Sequence, residues 1–176
     1  MKYSITILFI FFITFNLFGQ DTPTTKLPPK DFLHLTNTWA LFKKALQSKD
    51  RQTLHHLSLK YIYCDIFQPL DFNNITPTDS HISIDTFLKQ FFDHMPKSKL
   101  WSVVKTNKYH FSVEKEEYLN PANTKSKKEK SRNVYEIWFV TWKPNELQKG
   151  HEGQTHAFQF VKANGEFRFY GMTSIP

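Results

Sequence analysis

A chain of 176 residues has room for one domain and little more. Its 23 Lys plus Arg against 16 Asp plus Glu give a net charge of +7, and an aromatic share of 16% excludes a disordered or fibrous chain, because aromatics at that density bury a core. The single cysteine, Cys64, excludes an internal disulfide and any multi-cysteine zinc site.

Residues 1–20 carry Lys2 and then an apolar run from Ile5 to Phe18, interrupted only by Thr6, Thr14 and Asn16. This is the pattern of a secretory signal peptide, and the run falls short of the roughly 20 residues of a permanent membrane span. Gly19 is a small residue suited to cleavage, so the mature chain is expected to start at Gln20 or Asp21. No cysteine stands there to take a lipid, and the expected location is periplasmic or extracellular, with no stable membrane anchor. Residues 21–30 hold Pro23, Pro28 and Pro29 without periodicity and read as a linker to a single domain over 31–176.

After Asp31, the spacing of Leu35, Trp39, Phe42 and Leu46 predicts a helix ending near Ser48. Ser48 and Asp50 are good caps for a second, shorter helix carrying Leu54 and Leu57. Residues 60–67 read as a strand and 68–82 as a polar loop. Ser83 caps a third helix with an apolar face of Ile84, Phe87, Leu88, Phe91 and Phe92, and Pro96 ends it. From Trp101 the period changes to two: an extended segment over 101–104, alternation from Tyr109 to Glu114, a strand over 133–143, and a pair formed by 155–162 and 166–173. Asn164-Gly165 between the last two is a hairpin turn. Strand 133–143 is apolar on both faces, Val134, Trp138, Val140 and Trp142 on one and Tyr135, Ile137 and Phe139 on the other, so a cover on each face is expected, helices on one side and either a second copy of the chain or loops and sheet curvature on the other.

This order of elements resembles the cone-shaped fold of the nuclear transport factor 2-like superfamily, which includes ketosteroid isomerase and polyketide-cyclase-like domains. The stretch WALFKKALQSKDRQTLHHL (39–57) is similar to the opening of such domains, and HAFQFVKANGEFRFYGM (156–172) to their closing hairpin. The resemblance implies an α+β fold, with N-terminal helices packed on a curved antiparallel sheet around a pocket. It also implies a place in that pocket for an acid or base with a tyrosine hydroxyl. On the first strand Asp65, Tyr61 and Tyr63 are the candidates for that role, yet alternation puts all three opposite Ile62, Cys64 and Ile66, which face the core.

Other chemistry finds little support. His55 and His56 are adjacent and diverge by about 100° on a helix, no metal-ligand spacing is present, and no metal is expected. With Gly150, Gly153, Gly165 and Gly171 as the glycines after Gly19, a phosphate-cradling loop and a dinucleotide cofactor are not expected, so cofactors are none. Lys125, Lys127, Lys128, Lys130 and Arg132 form a basic patch in a hairpin loop without an aromatic to stack on bases, which speaks against nucleic acid. The expected function is non-catalytic binding of a small apolar ligand or a protein partner, with Trp39, Phe42, Phe87, Phe91 and Trp138 lining the pocket. A homodimer through the sheet face is expected beside it. The alternative is a cofactor-independent isomerase, dehydratase or cyclase.

Overall fold

A computed structural model describes residues 27–64, 81–116 and 132–175. Helix α1 (Pro29–Ser48) begins two residues before the expected boundary, because Pro29 at its first turn has a preset helical φ and no amide hydrogen to leave unpaired. Lys49 closes it in the left-handed conformation at φ 57°. Asp50 caps α2 (Arg51–His56), accepting the Thr53 amide at 3.0 Å. Strand β1 (Ser58–Cys64) follows, and its expected end over 65–67 lies outside the described residues. The short β2 (His81–Ser83) pairs with β1 where a loop was expected. Ser83 then caps α3 (Ile84–His94) by accepting the Thr86 amide at 3.1 Å.

Residues 99–104 correct the expected extended segment: they form α4 (Lys99–Val104). Val103 and Val104 carry β propensity, but Ser98 accepts the Trp101 amide at 3.1 Å, and Leu100, Trp101 and Val104 bury one face at helical spacing. Strands β3 (His110–Glu116), β4 (Arg132–Trp142), β5 (Gln154–Ala163) and β6 (Glu166–Ile175) complete the chain. At the β5–β6 turn Asn164 and Gly165 both take positive φ, 53° and 83°, as the Asn-Gly pair requires.

The architecture is α+β, with helices on one face of a curved six-stranded sheet of order β2-β1-β6-β5-β4-β3. The sheet is mixed, not antiparallel throughout, because β1 lies parallel to β6. β1 leaves the α1–α2 corner beside the outer edge of the last strand, where Phe169 donates its amide to the Leu57 carbonyl at 2.7 Å. Register shifts in β1–β6, β4–β5 and β5–β6 bend the sheet around the helices.

The core sits between the layers. Trp39 and Phe42 of α1 lie against Phe158, Phe160 and Phe169, with ring centroids 4.5–6.4 Å apart, and Phe87 of α3 reaches Phe169 at 5.4 Å. Tyr135, Ile137 and Phe139 turn toward the helices, while Val134, Glu136, Trp138 and Val140 turn away. Among the described residues no helix is long and apolar enough to cross a membrane.

Candidate functional site

The five aromatics expected to line one pocket divide between the two faces of the sheet. Trp39 and Phe42, and Phe87 and Phe91, are buried as two contacting pairs under the helices, linked through Phe169, and Phe91 also meets Trp101 at 5.8 Å. Trp138 cannot join them, since alternation along β4 sends it to the outer face. Tyr61 and Tyr63 are half-buried on the outer side as well, opposite the buried Ile62 and Cys64, and Tyr63 stacks on Tyr170 at 6.2 Å. Asp65, Lys125, Lys127, Lys128 and Lys130 lie outside the described residues, and Arg132 opens β4 at an exposed position.

The outer face carries a polar row that sequence reasoning missed. Ser112, Glu136, Gln159, Gly171 and Tyr63 stand in register across β3, β4, β5, β6 and β1. Glu136 is 3% exposed and Gln159 2%, and a carboxylate so placed needs donors. Ser112 Oγ donates to Glu136 Oε2 at 2.7 Å, Trp138 Nε1 to the same oxygen at 2.9 Å, and Gln159 Nε2 to Oε1 at 2.9 Å. Trp138 Nε1 also lies 2.9 Å from Ser112 Oγ. The signal available in the sequence was the appearance of Glu136 and Gln159 inside otherwise apolar strands. Together these bonds fix the plane of the Trp138 indole.

That indole faces an open groove of about 550 Å³. Its lining includes Val103 at the end of α4, Thr106 in the turn that follows, and Trp138 and Val140 of β4. Tyr109 and His110 close the groove where β3 begins, and Lys108 and Lys143 stand at its rims. Hydrogen bonds hold both rims. Thr106 Oγ1 donates to the Val103 carbonyl at 2.7 Å and accepts the Lys108 amide at 3.3 Å, and Lys43 of α1 donates to Asn107 Oδ1. Glu146 accepts the Lys143 amide at 2.9 Å and pairs with Lys99 at 2.5 Å; the Lys143 amide, then Lys99, keep its carboxyl below the usual range.

His110 pairs with Trp138 across β3 and β4, its ring within 11° of parallel at a centroid distance of 6.4 Å. Loss of water around the ring lowers its pKa against the opposing pull of the Glu136 carboxylate, so the groove presents an uncharged imidazole at neutral pH.

His156, on β5 opposite Phe139, is the most perturbed group described. Its Nδ1 lies 2.7 Å from Thr141 Oγ1, its Nε2 is buried without a partner, and burial pushes its pKa down to about 4. An unfolded imidazole titrates near 6.5, so between those values the unfolded chain binds the extra proton. This contribution to stability is full above pH 6.5, is lost as pH falls to about 4, and totals about 3 kcal/mol. Urea unfolding at pH 7, 5.5 and 4 of the protein and of His156→Asn reads it directly. The variant is expected to lose less stability over that interval by about that amount, and parallel pH slopes for the two proteins would refute it.

No protein-family model and no curated protein matches the chain. Among solved structures it is similar to a designed nuclear transport factor 2-like protein, at 15% identity over 83% of this chain and 99% of that one, with a TM-score of 0.33. What the fold and the groove define is an α+β domain whose aromatic interior lies under the helices and whose open concavity lies at the β3–β4 end of the sheet.

Proposed function

We propose that the chain is a divergent exported member of the nuclear transport factor 2-like superfamily that binds a small apolar ligand in the Trp138 groove without transforming it. The order of helices and strands supports the superfamily, and the apolar run from Ile5 to Phe18 supports export. The observation that carries the binding reading is the groove itself: an indole locked in place by Glu136 and Ser112 forms one wall of a space with mainly aliphatic and aromatic sides. For a cone-pocket isomerase, dehydratase or cyclase the candidates were Asp65 with Tyr61 or Tyr63, and both of these tyrosines stand on the side of the sheet away from the helices. A second reading has one observation in its favour. Val140 and Ile175 are 50% and 51% exposed and stand in one register row with Thr155, which suits a sheet-face homodimer.

Native mass spectrometry of the protein recovered from its own extracytoplasmic compartment tests both. The expected spectrum is a chain shortened at Gly19 or Gln20, with an adduct of a few hundred daltons that leaves on denaturation and is missing from Val140→Glu. A clean mass at twice the monomer favours the sheet-face dimer instead, and a full-length chain removes the export reading.

A further inference from the structure

We propose that the occupant of the Trp138 groove is a flat aromatic ring bearing an anionic group, a deepening that rests on the binding reading above. Shape comes first. Trp138 and His110 present near-parallel rings on neighbouring strands, and the Trp138 ring is fixed by donation to Glu136 Oε2 and Ser112 Oγ. A planar surface that is already immobilised takes a planar partner without further loss of side-chain entropy, and stacked rings gain beyond the area they bury.

Charge comes second. The two ionisable side chains at the rims are Lys108 and Lys143. Among the described residues two carboxylates touch groove residues, and both are held by donors. Glu146 has its oxygens on Lys99 and on the Lys143 amide; Glu136, whose charge reaches His110, is buried and accepts from Ser112, Trp138 and Gln159. Lys108 has no ion-pair partner among the described residues. The turn over 103–108 and the Glu146 contact fix the backbone amides of both lysines, so each side chain leaves the groove lining from a set point. The groove therefore offers a stacking floor between two cationic rims, which is complementary to a ring with a carboxylate or a similar anionic head.

Three probes separate these components: 2-naphthoate, 2-naphthalenemethanol and decanoate, titrated into the full mature protein while the indole N–H resonances are followed by NMR. We expect 2-naphthoate to bind most tightly and to shift the Trp138 indole. Lys108→Gln combined with Lys143→Gln should weaken 2-naphthoate by about fivefold and leave the alcohol within about twofold, the size expected of exposed charge pairs. Thr106→Trp, at an exposed position in the groove lining, should block both naphthalenes; because it also removes the Thr106 hydroxyl bonds to Val103 and Lys108, an unchanged Trp101 indole resonance is the accompanying check that α4 is intact. Equal affinity for 2-naphthoate and the alcohol, insensitive to the two lysines, would overturn the anionic requirement and leave the groove as an apolar site. Decanoate binding as tightly as 2-naphthoate would overturn the aromatic requirement. Naphthalene binding that survives Thr106→Trp, or no binding of any probe, would overturn the groove reading and this proposal with it.

Discussion

Phe42→Ala is expected to destabilise the domain by about 4 kcal/mol, the middle of the range for truncating a buried aromatic. The Phe42 ring is fully buried and touches Trp39, Phe158, Phe160 and Phe169, the last at 4.5 Å, so its removal leaves a hole walled by other rigid rings. Aromatic neighbours carried by a helix and two strands cannot collapse into that space without shifting the backbone. Phe32 is the control on the same helix. It is 46% exposed and meets Phe111 edge-on at 5.1 Å, so Phe32→Ala should cost under about 1 kcal/mol. Urea denaturation of the two variants gives the comparison. A cost for Phe42→Ala as small as that of Phe32→Ala would mean the helix-side interior is loosely filled and able to admit a guest, which would move the ligand site back under the helices.

The sequence made the helix-side core legible because its signals are local. Leu35, Trp39, Phe42 and Leu46 recur at helical spacing, Asp50 and Ser83 sit where caps are needed, and Asn164-Gly165 admits a tight turn with positive φ at both positions. What escaped depends on pairing between distant segments. The parallel approach of β1 to β6 leaves no mark in either sequence, because period-two alternation is the same for parallel and antiparallel neighbours. On β4 both faces are apolar, so only the register with β5 settles that Ile137 and Phe139 face inward and Trp138 outward. The groove was hidden for a compound reason. Part of its lining is the end of α4, a helix whose Val103-Val104 reads as strand, and part is an indole whose orientation comes from Glu136 and Ser112, partners that alternation alone does not bring together.

Gly171→Ala is expected to cost about 4 kcal/mol, or to prevent folding, the scale reserved for a substitution with a specific steric cause. A Cβ at this position would lie 2.1 Å from the Tyr63 carbonyl oxygen and 2.8 Å from its carbonyl carbon. Those are backbone atoms of the paired strand, so no side-chain rotation relieves the clash, and β1 must separate from β6. Gly165→Ala is the contrast, since its Cβ would meet open space and its cost, about 1 kcal/mol, arises only from the φ of 83° at the hairpin turn. Thermal unfolding of the two variants should rank them in that order, and a Gly171→Ala protein as stable as Gly165→Ala would refute the close β1–β6 approach. The functional consequence is separable. Gly171 and Tyr63 belong to β6 and β1, whereas the groove draws on α4, β3 and β4, with β5 between. If Gly171→Ala folds with β1 displaced, the stacking of Tyr63 on Tyr170 should be lost while Gln159, opposite Gly171, and Trp138 still donate to Glu136, and 2-naphthoate affinity should stay within about twofold.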